Sequence, residues 1–172
     1  EQEYAYIWFG HSTILFRVAG KNILFDPVFG NAAPVFFAVP RFQKPVISLD
    51  ELPPIDIVFI SHDHYDHLSY DAMLFFKEQT QTTFYVPLGV SHYLIGWGIE
   101  SSRITELDWW EESHSGNIQV ACTPSQHFSG RTGPRGLRTL WASWVVKTEG
   151  FSIYFSGDSG YDIHFKQIGE KY

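Results

Sequence analysis

The chain has 172 residues, 44% of them hydrophobic and 17% aromatic, which is enough apolar material for one domain with a real core and excludes a disordered chain. The net charge of −7 argues against a sequence-independent nucleic-acid binder, which is normally basic. No apolar run approaches the roughly 20 residues that span a bilayer. The single cysteine, Cys122, excludes an intrachain disulfide and suits a reducing compartment; its neighbours in "IQVACTP" predict a buried, inert thiol. The chain opens on Glu1-Gln2-Glu3 without an initiator Met, which predicts a processed or internal start and leaves targeting unread.

Strand-like runs come first, over 4–9, 13–18 and 22–25, the last two joined by an Ala19-Gly20-Lys21 turn. The Pro- and Phe-rich stretch 26–45 has no clean period and is predicted as a long loop. A buried strand is expected over 55–60, then a helix over 66–79 with Leu68, Met73, Leu74 and Phe76 facing the core. A strand over 82–87 and a short helix over 90–98 follow. Strands are expected at 117–123, 139–148 and 151–156, with Thr148-Glu149-Gly150 as the last turn, and a helical segment ends the chain. The fold class is α/β or α+β, with helices covering sheet faces, in a single domain.

The strongest chemical signal is "SHDHYDHL", residues 61–68, directly after the strand at 55–60. Imidazole and carboxylate are the usual ligands of zinc and related divalent ions. His62 and His64 can converge only if the backbone leaves strand geometry after Ile60, and a loop there supplies the turn. Asp66 and His67 then point elsewhere, toward a second ion. As mere structure the set is expensive, because protonated histidines repel and buried neutral ones need partners. The same layout, buried strand then loop, recurs at "TPSQHFSGR" with His127 and at "IYFSGDSGY" with Asp158. A carboxylate such as Asp158 can bridge two cations, as two-metal hydrolysis requires. Zn²⁺ is the default ion, with two expected, and Mn²⁺ or Fe suit similar ligand sets. A serine-hydrolase reading of Ser159, with His92 or His114 as base, leaves the 62–67 cluster unexplained.

The segment "HDHYDH" matches the HxHxDH motif of the metallo-β-lactamase superfamily. "WFGHST", "FDPVF", "ELPPIDIVFISHDHYDHL", "VPLGV", "ELDWWEE", "TPSQHFSGR", "LWASWV" and "FSGDSGY" more closely resemble the branch of phospholipase D enzymes that hydrolyse N-acylphosphatidylethanolamine, and their bacterial relatives. The resemblance implies an αββα sandwich with the metals at one edge between the sheets. It implies that His62, His64 and His127 hold one ion, that Asp66 and His67 hold the other, and that Asp158 bridges them. The family's second half supplies a further histidine to the second ion. No histidine follows His164, so the chain is expected to be the N-terminal portion of the family domain, with six of the seven ligands. Such a portion leaves room for a homo-oligomer or a swapped assembly.

The activity implied is hydrolysis of a phosphodiester by a metal-activated hydroxide, with Asp66 both binding metal and accepting a proton. The alternatives are hydrolysis of a sugar-phosphate lactone, or a non-catalytic metal-binding fragment. Asp26 in "LFDP" either orients a ligand histidine or starts a turn before Pro27. His11 in "FGHST" either supports the site or caps local backbone. Arg131, Arg135 and Arg138 form a basic loop that either is solvated or pairs with a substrate phosphate. The run Val35-Phe36-Phe37-Ala38-Val39 either packs on the core or forms an apolar lip for acyl chains or peripheral membrane contact. Trp109 and Trp110 are expected to pack. The implied location is cytoplasmic or peripheral to a membrane.

Overall fold

The computed structural model describes residues 4–31, 43–131 and 138–172. One sheet holds β1 (Ala5–Gly10), β2 (Thr13–Val18), β3 (Lys21–Phe25), β4 (Ile57–Phe59), β5 (Thr83–Pro87) and β6 (Ile104–Leu107), in that spatial order. The first three strands pair antiparallel because tight turns join them; Ala19 and Gly20 turn with φ of 51° and 77°. From β3 onward the pairing is parallel, and α1 (Tyr70–Glu78) and α2 (Ser91–Gly96) lie in the crossovers from β4 to β5 and from β5 to β6. The second sheet is antiparallel, with β7 (Glu112–Ser115), β8 (Ile118–Thr123), β9 (Ser143–Thr148) and β10 (Phe151–Phe155) in the order β10-β9-β8-β7. α3 (His164–Lys171) follows.

Strand periodicity sorts the side chains into three packed layers. Leu24, Val58, Phe84 and Val86 pack with Met73 and Phe76 of α1 and Leu94 of α2. The alternate residues Ile23, Phe25, Ile57, Phe59 and Tyr85 face Val120, Cys122, Trp144, Val146, Ile153 and Phe155 across the gap between the sheets. Ala121 and Val145, on the far face of the second sheet, pack with Ile168 of α3. The result is the helix–sheet–sheet–helix sandwich that the resemblance implies. Much of the aromatic content sits between the sheets: Phe25 stacks on Phe59 at 4.9 Å and on Phe155 at 4.6 Å, and Phe59 meets Trp144 at 5.3 Å. The Trp144 indole also donates to Ile60 O at 2.9 Å, tying one sheet to the other beside the motif loop.

Several boundaries differ from expectation. The helix expected from residue 66 begins at Tyr70, because Ser69 caps it by accepting from Ala72 N, and residues 64–68 form a turn instead. Ala72 rather than Leu74 is fully buried. The strand expected from 139 begins at Ser143, since Leu140 N and Ala142 N bond Leu88 O and Ser61 O of the first sheet's loops. The short edge strands β6 and β7 have weak apolar patterns, and the sequence does not announce them. Arg103 is buried and donates to the carbonyls of Phe76, Lys77, Gln79 and Thr82, closing the last turn of α1. Trp109 and Trp110 pack as expected. Among the described residues, no helix is long and apolar enough to cross a membrane. The run 35–39, with Phe36 and Phe37, and Arg135 lie outside the described residues.

Candidate metal centre

The chain leaves β4 through Ile60 and turns, with His67 N and Leu68 N both bonding His64 O at 3.1 and 2.9 Å. This turn brings His62 and His64 onto one point. Nε2 of His62 lies 2.8 Å from Nδ1 of His64, and that atom lies 3.2 Å from Nε2 of His127. His127 is delivered from the loop after β8. Gly160 N bonds Gln126 O at 2.8 Å and Gln126 N bonds Ser159 Oγ at 3.0 Å, which locks that loop to the one after β10.

The second loop carries Asp158. Its approach depends on Gly157, whose φ is +55° and where a Cβ would lie 2.6 Å from Cβ of Ser61. Asp158 Oδ2 lies 3.3 Å from Nε2 of His67 and 3.9 Å from Nε2 of His127, so it faces both groups. His11 joins the second group, with Nε2 3.2 Å from Nε2 of His67 and 3.0 Å from Asp66 Oδ2. Asp66 Oδ2 is 3.9 Å from Nε2 of His67. His11, offered by the sequence as either site support or a backbone cap, thus has its ring in the site.

Asp26 sits behind His67. It is fully buried and accepts from Ser61 N at 2.7 Å, Ser61 Oγ at 2.6 Å and His67 Nδ1 at 2.7 Å. That contact places the Nδ1 proton and turns Nε2 toward Asp158. Ser61 Oγ also lies 2.8 Å from Nδ1 of His62 and 3.4 Å from Nδ1 of His67, so one hydroxyl touches a histidine of each group. Sequence reasoning missed Ser61, and its position directly before the first motif histidine is the signal that could have found it.

The electrostatics are those of a crowded cationic site. Burial, then the neighbouring His67, His64 and His127, push His62 down to about 2. Burial also disfavours charge on His67, yet its hydrogen bonds and attraction to Asp158 and Asp26 together outweigh that and hold it up at about 10. The bond from His67 holds the Asp158 carboxyl well below its usual range. Burial lowers His127.

Two triplets, His62/His64/His127 and His11/His67/Asp158, each bring three ligand atoms within 4.8 Å of one another. Donors about 2.05 Å from a tetrahedral ion are about 3.3 Å apart. The separations of 2.8 and 3.2 Å in the first triplet, and of 3.2 and 3.3 Å in the second, are of that size. Unprotonated imidazole nitrogens at such distances repel unless a cation or proton lies between them. The donor set has the spacing and chemistry of divalent-cation ligands, and imidazole with carboxylate suits Zn²⁺, Mn²⁺ or Fe alike.

One sequence expectation changes. Arg131, expected to be solvated or to pair with a phosphate, is engaged by the protein itself: its Nε donates to Asp63 O at 2.5 Å and its Nη2 to Leu68 O, and its guanidinium lies over the rings of Tyr65, Tyr93 and Trp97. Ser159, which the sequence already set aside as a nucleophile, is tied into its loop. Its hydroxyl donates to Gly160 O at 2.8 Å while accepting from Gln126 N, and His164 stands 3.0 Å away. Phe128, unremarked in the sequence, is exposed and lies over His64 and His127 at 4.7 and 4.6 Å.

Comparison with known proteins gives the family of the chain. The chain is 43% identical over 164 residues to a protein of Mycobacterium tuberculosis, covering 94% of the chain and 44% of that protein. It is 38% identical over 179 residues to the N-acyl-phosphatidylethanolamine-hydrolyzing phospholipase D 1 of Caenorhabditis elegans, covering 95% of the chain and 49% of that protein. The chain thus spans about half the length of these relatives. A metallo hydrolase from Ignicoccus hospitalis shares the fold with a TM-score of 0.75 at 22% identity, covering 98% of this chain and 66% of that one. The family model described as beta-lactamase superfamily domain matches residues 21–172, and the chain belongs to that family.

Proposed function

We propose that this chain carries the metal centre of a metal-dependent hydrolase acting on phosphodiesters of the N-acylphosphatidylethanolamine type. One observation carries the reading: the Asp158 carboxylate belongs to one triplet of ligand atoms, 3.3 Å from its His67, and reaches toward the other, 3.9 Å from His127. In this reading His62, His64 and His127 hold one ion. Asp66 and His67 hold the other with His11 as a further donor, and Asp158 touches both. When bound, such a pair lowers the pKa of water and neutralises charge on a phosphate.

The chain's own groups supply the rest. Asp66 is half-exposed and stands 3.0 Å from His11 Nε2, where it can take the proton of an attacking water. Asp26 holds the His67 ring in register. Exposed Phe128 over His64 and His127, and exposed Trp8, whose indole bonds His11 O at 2.8 Å, favour a substrate with apolar chains over a sugar-phosphate lactone. Similarity to the C. elegans protein supports the same choice.

The test is metal content together with turnover. Metal-reconstituted protein is expected to bind two ions and to release phosphatidic acid from N-acylphosphatidylethanolamine vesicles. Asp158→Ala should abolish turnover and lower the metal stoichiometry. Two bound ions with hydrolysis of a lactone and not of the phospholipid would overturn the substrate class. Bound metal with no hydrolysis of either would favour a non-catalytic role for this chain.

A further inference from the structure

Asp63 lies between two proposed ligands, His62 and His64, and is fully buried. Its carboxylate is bonded to the other ligand arm. Oδ1 accepts from Gly130 N at 2.6 Å, three residues beyond His127, and Oδ2 accepts from Tyr93 OH at 3.2 Å. The next residue, Arg131, reaches back. Its Nε donates to the carbonyl of Asp63 itself, and its Nη2 donates to the carbonyl of Leu68. Those two carbonyls are the ends of the turn that holds His64, Asp66 and His67. A guanidinium is planar with donors at fixed spacing, so it spans two carbonyls in a way that a lysine ammonium cannot. The rings of Tyr65, Tyr93 and Trp97 hold that plane, with the guanidinium carbon 4.5, 5.3 and 5.4 Å from their centres.

We propose that Asp63 and Arg131 are positioning residues of the metal centre, fixing the spacing between the arm that carries His62 and His64 and the arm that carries His127. The inference rests on the metal-centre reading above and adds to it the device that sets one site's geometry. Asp63→Ala leaves the part-buried Gly130 N–H without its acceptor and the part-buried guanidinium without a nearby negative charge. The 127–131 loop is then free to shift against the motif turn. The His67/Asp158 group is anchored separately, by Asp26 to His67 and by the close contact of Gly157 with Ser61. The effect is therefore selective for one triplet.

The test is Co²⁺ titration of metal-free protein, read by cobalt absorption, in two parents: His67→Ala, which keeps the three-histidine triplet intact, and His62→Ala, which keeps the other. In the first parent, Asp63→Ala should weaken Co²⁺ binding by about 10- to 100-fold. In the second, the loss should stay below about threefold. Asp63→Asn keeps an oxygen acceptor for Gly130 N and should stay within about threefold of its parent. Arg131→Lys should lose at least about tenfold in the first parent. Unchanged affinity in Asp63→Ala overturns the proposal. So does an equal loss at both triplets that tracks the unfolding midpoint of the metal-free protein, the signature of a residue serving only the fold. Should Asp63→Ala fail to fold, the other two variants decide: Asn weakened tenfold, or Lys at parental affinity, overturns it. Wild-type protein that takes up no Co²⁺ would sink the metal-centre reading itself, and this proposal with it.

Discussion

Asp26 Oδ2 lies 2.7 Å from His67 Nδ1, and both side chains are fully buried. Asp26 also holds Ser61 through two hydrogen bonds, so its removal strands three donors at once. Asp26→Ala is expected to destabilise the metal-free chain by about 3–5 kcal/mol. Asp26→Asn should fold better but weaken metal binding at the His67 site by about 10- to 100-fold. Urea unfolding and Co²⁺ titration measure the two effects; wild-type cobalt affinity in Asp26→Asn would remove Asp26 from the site's support.

Metal uptake at His67 should be coupled to pH. In the metal-free chain, Asp26 and Asp158 hold His67 protonated up to about pH 10, so an ion taking Nε2 must displace a proton. Affinity at this site is expected to rise about tenfold per pH unit between about pH 7 and 9, with about one proton released per ion. The stability of the metal-free chain carries the matching sign. The charged His67 contributes fully below its ordinary value of 6.5, and that contribution fades as pH rises through about 10. Calorimetric titration in buffers of different ionisation heat counts the protons, and a count of zero would contradict the bonding at His67.

Gly157→Ala places a methyl group 2.6 Å from Ser61 Cβ and 2.9 Å from its Oγ, at a φ of +55°. Left-handed strain and overpacking together predict a loss of about 2–4 kcal/mol. The shift should also move Asp158, so metal stoichiometry should fall along with the thermal midpoint. An unchanged midpoint would mean that the Ser61 contact is not tight.

Cys122 lies fully buried between the sheets, and burial, with Asp108 and Glu111 adding, pushes its thiol up. A thiol reagent at mildly alkaline pH is expected to leave the native protein unlabelled and to label the unfolded chain fully. Labelling at equal rates in the two states would place Cys122 at the surface.

What the sequence disclosed, and what it hid, divides along the range of the interactions. His62, His64, Asp66 and His67 were legible because one turn holds them all. His127 and Asp158 could be found because each follows an apolar strand. The role of Asp26 was not separable from that of a turn residue, because it depends on β3 lying beside β4, where Asp26 N bonds Phe59 O. Arg131 was left between a solvated and a phosphate-pairing arm because a sequence displays its charge and not the carbonyls that receive it. The α/β class was readable from strand periodicity and the sandwich from the family resemblance, whereas β6 and β7 stayed hidden because short, partly exposed edge strands carry little apolar signal.

The proposed ligands descend from both sheets. His62, His64 and His67 leave β4, while His127 and Asp158 leave β8 and β10. A cation held by both sets would tie distant points of the native chain together and stabilise it by mass action, because the unfolded chain has no formed site to hold the ion. Chelation should therefore leave each hydrogen-bonded ladder intact while the loops joining the sheets regain their freedom.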